Sequence, residues 1–145
     1  MNFRVKKLDE RAIIPTYATK SSAGADLYNM VGCEVKIAPG ETAMIRTGLA
    51  VEIPEGYVGL VFARSGIASK RGLAPANKVG VIDSDYRGEW MVALHNHSKT
   101  EAVVDGGERI AQVVVVPYIQ GEFTEVSELT ETERGEGGFG STGKK

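Results

Sequence analysis

Cysteine is almost absent from this sequence, and long apolar runs are missing altogether. Cys33 is the single cysteine among 145 residues, so the chain forms no internal disulfide and offers no second thiolate for a zinc site. We interpret it as a small buried hydrophobic residue. No stretch approaches the roughly 18 consecutive apolar residues of a membrane span, and charges interrupt MNFRVKKLDERAIIP, the first 15 residues, where a signal peptide would be apolar. These absences make the cytoplasm the expected compartment.

An excess of positive charge is also missing. Seventeen Lys and Arg residues against 19 Asp and Glu residues give a formal net charge of −2. Such a balance provides no basic face for nucleic acid or for an anionic membrane, so we expect neither among the partners. The length predicts one domain with enough mass for a core.

Apolar and polar residues alternate with a period of two over much of the chain. Runs rich in β-branched and aromatic residues cover 35–37, 43–53, 57–63, 90–97 and 109–119. Short turn sequences separate them, which is typical of an all-β barrel or jelly-roll sandwich. SGIASKRG (65–72) favours the one short helix, and VVVVP (113–117) is apolar on both faces, which predicts a central strand buried from both sides.

The character of the chain changes near Gly121. EFTEVSELTETERGEGGFGSTGKK offers one more strand and then a polar, glycine-dense extension. We therefore divide the chain into a β-barrel domain, 1–133, and a flexible glycine-rich C-terminal lid, 134–145.

The end of the lid, GFGSTGKK, lies one letter from the phosphate-binding pattern GxxxxGK[ST]. A P-loop opens a helix and needs a hydroxyl residue after the lysine. No helix follows here and Lys145 takes the hydroxyl position, so that interpretation fails. A disordered terminus is one alternative. The other is a segment that folds over a nucleotide, with a planar cation, an aromatic ring and two hydroxyls in Arg134, Phe139, Ser141 and Thr142.

NKVGVIDSDYRGEW (77–90) resembles a strand, a tight turn and a second strand. Asp83 and Asp85 would share one face of an extended segment. An acid at the end of an apolar strand suits a general base for water, whereas the alternative is an aspartate that caps the turn. Tyr86, Gly80 and Gly88 are features that a plain hairpin does not need.

Three further groups carry candidate chemistry. ARSGIA (63–68) places an arginine where a strand stops and a helical turn begins, which fits a phosphate seat or a surface ion pair. GGERIAQ (106–112) adds Arg109 and Gln112 at a strand start. HNH (95–97) suggests a metal site, but two histidines on the exposed face of a strand are the simpler interpretation.

Five of these segments, in this order, resemble the homotrimeric deoxyuridine triphosphatase (dUTPase) family. The motifs are AGADL (23–27), ARSGIA (63–68), GVIDSDYRGE (80–89), GERIAQ (107–112) and RGEGGFGSTG (134–143). The resemblance implies a jelly-roll-like subunit in a threefold trimer. Each active site would take the first, second and fourth motifs from one subunit, the third from a neighbour and the tail from the remaining one.

The activity implied by the resemblance is hydrolysis of dUTP to dUMP and pyrophosphate, assisted by Mg²⁺. This reaction limits uracil incorporation into DNA and supplies dUMP for thymidylate synthesis. Mg²⁺ would be held mainly by the triphosphate and water rather than directly by a protein cage, which suits its octahedral preference.

The resemblance also assigns roles to single residues. Asp83 would orient and deprotonate the attacking water, and Asp26 would support the site. The uracil and deoxyribose contacts would come from Asn77, Gly80, Val81, Ile82, Tyr86 and Phe139. The phosphate contacts would come from Arg64, Ser65, Gly66, Gln112, Arg134, Gly138, Ser141 and Thr142.

Two alternatives to a dUTPase are considered. A dCTP deaminase, or a bifunctional relative on the same fold, needs a glutamate poised over the cytosine ring that the third motif does not show. A non-catalytic jelly-roll regulator has no use for Asp83, Arg64, Gln112, Arg134 and Phe139 together. Since ordering the glycine-rich lid costs about 1–2 kcal/mol per residue, we expect it to be mobile until a triphosphate binds.

Overall fold

The computed structural model describes residues 1–138 and contains, over that range, twelve strands and one helix. The first six strands are β1 (Arg4–Lys7), β2 (Thr16–Tyr17), β3 (Ala25–Tyr28), β4 (Val35–Ile37), β5 (Thr42–Arg46) and β6 (Leu49–Glu52). After β7 (Tyr57–Phe62) and α1 (Ser65–Arg71) come β8 (Leu73–Pro75), β9 (Gly80–Ile82), β10 (Met91–Asn96), β11 (Ala102–Val104) and β12 (Arg109–Pro117). The prediction of an all-β protein with one short helix is confirmed.

The strands form four antiparallel groups. The largest has the order β2-β3-β12-β7-β9, and the others are β5-β10-β8, β1-β6 and β4-β11. Neighbours in space are therefore often distant in sequence. β12 lies between β3 and β7, and this brings residues near positions 26, 62 and 112 side by side.

One apolar cluster joins these groups. Its fully buried aliphatic side chains include Leu27, Ile37, Ile45, Leu49, Leu73, Leu94, Val104 and Ile110. Each contributes about 1.5–3 kcal/mol to the free energy of unfolding through removal from water. The alternation of apolar residues that predicts the strands is thus the pattern that fills the core.

The helix ends where the sequence indicates. Gly72 follows α1 with φ +66°, and its N–H donates to the Ala68 carbonyl at 3.0 Å. A left-handed residue at this position stops a helix and favours glycine. Among the described residues 1–138, no helix is both long and apolar enough to cross a membrane.

The predicted central strand is confirmed in position but not in burial. β12 is central in its sheet, and Val113 and Val115 contact the core, but Val114 and Val116 on the opposite face are only half-buried. Only one face of the strand packs against the apolar cluster in the single chain, so the expectation of burial on both sides is wrong for it.

The further strand predicted after Gly121 is wrong for the single chain. Residues 118–138 form no strand, and Phe123 and Leu129 are 102% and 87% exposed. Their apolar alternation has neither a ladder partner nor a core face within the described part of the chain.

The segment 77–90 is not a hairpin. β9 pairs with β7, whereas β10 pairs with β5 and β8 in another sheet. The Trp90 N–H donates to the Leu49 carbonyl at 2.8 Å, which directs the chain away from β9. Asp83 and Asp85 also lie in the turn between the strands rather than on an extended segment, so the prediction that they share a strand face is wrong.

Two smaller expectations are also modified. Cys33 is half-buried rather than buried, with its Sγ 3.5 Å from Nη1 of Arg11. His95 is half-exposed on β10 and His97 is exposed just beyond it, which agrees with the exposed-face interpretation. Their ring centroids lie 4.3 Å apart, and within residues 1–138 no group of three or more His, Cys, Asp or Glu side chains could hold a metal ion.

Candidate active site

A cavity of about 310 Å³ opens beside the turn that follows β9. Six residues that the sequence assigns to a base, a sugar or a catalytic water line it: Asn77, Gly80, Val81, Ile82, Asp83 and Tyr86. The structure therefore brings together on one wall every member of the predicted base-binding set that it describes, and Phe139 lies outside the described residues. We call this space the base cavity.

The first part of that wall is fixed by pairing with β7. Gly80 lies opposite Val61, and a Cβ on Gly80 would stand 3.2 Å from the Val61 Cβ and 3.5 Å from Nδ2 of Asn77. The glycine thus permits the close approach that places the Asn77 amide at the cavity.

Lys78 lies in the loop that leads into the same wall. It has φ +67°, the one positive φ among the described non-glycine residues, and its N–H donates to the Pro75 carbonyl at 2.9 Å. Such a conformation is costly for a side-chain-bearing residue and often marks a functional loop. No pattern in the sequence indicates it.

Asp83 lies in the turn after β9, and its side chain does not cap that turn. Its backbone carbonyl accepts the Tyr86 N–H at 3.2 Å, which closes the turn. Asp83 lines the base cavity and also the neighbouring space beside Asp85, and within residues 1–138 its carboxylate accepts no side-chain or backbone hydrogen bond. A capping aspartate would use that oxygen on a backbone N–H, so the carboxylate is left for a ligand or water.

Tyr86 stands over the end of the turn. Its hydroxyl donates to the Glu89 carbonyl at 3.1 Å. A Cβ on Gly88 would come within 2.3 Å of that hydroxyl, so the ring depends on glycine there. The ring position follows from these two contacts.

A second cluster forms where β3, β7 and β12 lie side by side. Asp26 is buried, and its two carboxylate oxygens accept from Nε of Arg64 at 2.6 Å and from Nη1 of Arg109 at 3.3 Å. Two guanidiniums against one carboxylate leave a net charge of +1. We call this group the anion cluster, because its excess positive charge suits a phosphate.

Gln112 lies at the same place. It is opposite Asp26 on one side and Phe62 on the other, and its Nε2 donates to the Ala63 carbonyl at 3.0 Å. A Cβ on Gly24 would stand 2.5 Å from Oε1 of Gln112, so the backbone of 23–27 packs closely on this amide. Three of the five sequence motifs therefore meet here.

Arg64 is more than a surface ion pair, because its partner carboxylate is only 9% exposed. Ser65 and Gly66 follow it as exposed residues, and a Cβ on Gly66 would meet no atom within 4 Å. The face above Arg64 is thus open to a ligand.

The base cavity and the anion cluster do not share one cavity in the chain. None of Asp26, Arg64, Arg109 and Gln112 lines the space beside Asp83. The groups expected to act on one nucleotide therefore lie on two surfaces of a single chain.

The beginning of the lid is described and its end is not. Nε of Arg134 donates to the Gly137 carbonyl at 2.8 Å in an exposed turn, and Gly138 is half-buried. Phe139, Ser141 and Thr142 lie outside the described residues.

Eight residues that line the base cavity were not predicted: Met44, Val61, Pro75, Glu89, Trp90, Met91, Val92 and Ala93. Met91 could have been found from the alternation on β10, since it faces the same way as Ala93. Glu89 and Trp90 could not, because their contacts are with residues about 40 positions earlier in the chain.

Comparisons with known proteins agree with this geometry. The dUTPase family model matches residues 10–143. A deoxyuridine 5'-triphosphate nucleotidohydrolase of Nautilia profundicola is 51% identical over 99% of this chain and 100% of its own length. One from Desulfitobacterium hafniense is 54% identical over 93% of this chain and 90% of its own.

Solved structures give the same result. A mutant dUTPase of Staphylococcus bacteriophage 80alpha, solved with dUpNHpp, has a TM-score of 0.89 at 34% identity and covers 98% of both chains. A dUTPase of phage phi11 of S. aureus, described with a structural Mg(II) ion, has a TM-score of 0.80 at 30% identity over 88% of this chain and 98% of its own. Sequence and fold agree, and the chain belongs to the dUTPase family.

Proposed function

We propose that the chain hydrolyses dUTP to dUMP and pyrophosphate, with Asp83 as the base that activates water. The observation that carries the proposal is the Asp83 carboxylate, which has no protein partner among residues 1–138 and lies in the wall of the base cavity. Relatives that are identical to this chain at about half of the aligned positions are named for the same activity, which supports the proposal.

The chemical step needs a water between Asp83 and the α-phosphorus. Asp83 accepts a proton from the water while the water oxygen forms its bond to the α-phosphorus. The bond from the α-phosphorus to the α,β-bridging oxygen breaks, and pyrophosphate leaves with that oxygen. The products are dUMP and pyrophosphate. This reaction limits the incorporation of uracil into DNA and supplies dUMP for thymidylate synthesis.

Base and sugar are recognised in the base cavity. The Asn77 amide and the backbone groups of Gly80, Val81 and Ile82 pair with the uracil edge in a space that excludes a 5-methyl group. The Tyr86 ring packs under deoxyribose and excludes a 2′-hydroxyl. Phe139, from the lid, stacks on uracil.

The triphosphate binds the anion cluster. Arg64, Ser65, Gly66 and Gln112 contact its oxygens, and the buried Asp26 holds Arg64 in position. The lid adds contacts from Arg134, Gly138, Ser141 and Thr142.

Mg²⁺ fits these residues as an ion carried by the substrate. The triphosphate and the Gln112 side-chain amide offer oxygen donors, which Mg²⁺ prefers. Gln112 commits its Nε2 to Ala63 and keeps Oε1 for metal-bound water. When bound, Mg²⁺ offsets negative charge on the triphosphate.

A homotrimer with shared sites accounts for the separation of the two surfaces. Since the base cavity and the anion cluster do not meet in one chain, the base would be held by one subunit and the phosphates by its neighbour. Residues 1–133 form the subunit body and 134–145 the lid in this arrangement.

Product analysis tests the proposed function. Purified chain is supplied with dUTP, dCTP, dTTP or UTP, with Mg²⁺ and with a chelator. Release of dUMP from dUTP alone, lost with chelator, is expected. Ammonia released from dCTP would instead indicate a deaminase, and no turnover of any nucleotide would favour a regulatory module.

A further inference from the structure

The segment from Asp83 to Glu89 carries two residues of the proposed site but has little support of its own. It lies between β9 and β10, which belong to different sheets. Its backbone forms the Tyr86-to-Asp83 bond, and its side chains add bonds from Nη1 of Arg87 to the Ser84 and Tyr86 carbonyls. These contacts are local, and the Arg87–Glu52 ion pair that reaches β6 is 3.7 Å long and exposed, so a stronger contact must fix the segment to the barrel.

Glu89 provides that attachment. Its carboxylate is 13% exposed, and Oε1 accepts the Gly48 N–H at 2.8 Å. Oε2 accepts from Nε of Arg46 at 3.0 Å and lies 2.9 Å from Nη2 of the same arginine. We call this set of contacts the Glu89 clamp.

The clamp attaches to a buried glycine in the turn between β5 and β6. Gly48 is buried between β5 and β6 with φ +70°, and a Cβ there would come within 2.9 Å of Met30 and Ala12. A buried N–H needs an acceptor, and the Glu89 carboxylate is the one that reaches it. Next to it, Thr47 Oγ1 donates to the Trp90 carbonyl at 2.6 Å.

The clamp leads directly to Tyr86. The Tyr86 hydroxyl donates to the main-chain carbonyl of Glu89, so movement of Glu89 moves the acceptor that holds the ring. Tyr86 in turn donates its N–H to Asp83. One carboxylate thus connects the buried β5–β6 turn to both the proposed sugar discriminator and the proposed base.

We propose that Glu89 is a positioning residue that fixes the Asp83–Tyr86 turn through its bond to the Gly48 N–H. The role rests on the proposed function, since it concerns the preference of the enzyme for dUTP over UTP. The neutral acceptor of Glu89→Gln can keep the Gly48 bond, whereas Glu89→Ala cannot. The arginine contributes less, because the Arg46 side chain is half-exposed and such pairs add little.

Steady-state kinetics of Glu89→Ala and Glu89→Gln test the role. Loss of a bond to a charged acceptor predicts a preference for dUTP over UTP that falls roughly tenfold in Glu89→Ala. KM for dUTP should rise by more than kcat falls, and Glu89→Gln should recover most of the preference. An unchanged preference with only a lower Tm in Glu89→Ala, or equal losses in both variants, would overturn the proposal.

Asp9→Ala is the matched control. Asp9 also receives a backbone N–H and a guanidinium, both from Arg11 at 2.9 Å and 2.7 Å. It lies beside Gly48, where a Cβ would stand 3.3 Å from the Asp9 Cβ, but within residues 1–138 its carboxylate bonds only to Arg11 and it does not line the base cavity, so its loss loosens the same region without breaking the Gly48 bond. Its loss should lower Tm without changing the preference for dUTP. A preference reduced as much as in Glu89→Ala would show that general loosening is responsible, and the proposal would fail.

Amide hydrogen exchange separates the clamp from the proposed function, because it needs no substrate. Glu89→Ala should speed exchange at Gly48 and Tyr86, and Asp9→Ala should leave Tyr86 unchanged. If exchange at Tyr86 is the same in Glu89→Ala as in wild type, the clamp does not position the turn, whichever nucleotide the enzyme uses. A wild-type chain inactive on dUTP would defeat the proposed function alone.

Discussion

The base cavity and the anion cluster are built in opposite ways. Among the described residues, the base cavity takes its proposed contacts from one short stretch, 77–86, and it holds a carboxylate with no partner within residues 1–138. The anion cluster takes Asp26, Arg64 and Arg109 from three segments that are distant in sequence, and its carboxylate is saturated by the two guanidiniums. An unpaired carboxylate suits proton transfer, whereas a saturated one suits holding cations in place.

The largest expected effect is on the chemistry of the base cavity. Asp83→Asn removes the proton acceptor but keeps the size of the side chain, so kcat for dUTP should fall about 10³-fold, within the range of general base catalysis. Nucleotide binding, measured by calorimetry with a non-hydrolysable analogue, should persist.

Asp85→Asn is its control. Asp85 lies two positions away in the same turn but lines a neighbouring space rather than the base cavity. Its kcat should stay close to that of wild type. Near-normal turnover by Asp83→Asn would remove Asp83 from the base role, and an equal loss in both variants would point to the charge of the turn instead.

The next effect is on stability, and it belongs to the anion cluster. Asp26→Ala leaves Arg64 and Arg109 facing each other without their shared carboxylate. The free energy of unfolding should fall by about 2–4 kcal/mol, below the upper range for breaking a buried ion pair because Arg109 is half-exposed. Urea denaturation measures it.

The comparison is with an exposed pair on the same barrel. Glu52→Ala removes the partner of Arg4, whose side chain is 83% exposed, and of Arg87, whose side chain is 55% exposed, and each exposed pair should cost about 0–1 kcal/mol. If both variants lose the same stability, burial of Asp26 is not what makes the anion cluster rigid.

The two regions also differ in how far they follow from the sequence. The residues 77–86 are contiguous, so the motif alone keeps Asn77, Asp83 and Tyr86 near one another, and the pairing of β9 with β7 then fixes the wall that they form. The Asp26–Arg109 pair depends on β3 lying beside β12, and the Glu89–Gly48 bond joins positions 41 apart. Those contacts require the topology, which alternation of apolar residues does not specify.

The errors have the same origin. A short turn between two apolar stretches predicts a hairpin, yet the Trp90–Leu49 bond places β10 in another sheet. The stretch after Gly121 predicts one more strand, but a strand needs a neighbour to complete its hydrogen bonds. Local pattern indicates the element, and the partner decides whether and where it forms.

A smaller effect concerns sugar selection in the base cavity. Tyr86→Ala removes the ring and should lower the ratio of kcat/KM for dUTP to that for UTP roughly tenfold, the order expected from loss of steric exclusion. Tyr118→Ala is matched in exposure, 43% against 45%, and lines the neighbouring space. A ratio unchanged in Tyr86→Ala, or lowered equally in Tyr118→Ala, would place the discriminator elsewhere.

The smallest expected signal decides whether the two regions act across subunits. Asp83→Asn and Arg64→Ala are each expected to be nearly inactive, and the two chains are unfolded, mixed in equal amounts and refolded together. If every site combines the base cavity of one chain with the anion cluster of another, half of the base cavities and half of the anion clusters are intact, so about a quarter of sites are wild type under random assembly. If each site lies within one chain, every site carries one defect and the mixture stays as inactive as its parts. Recovery therefore requires exchange between subunits, and its absence in a mixture of confirmed oligomers would assign both regions to a single chain.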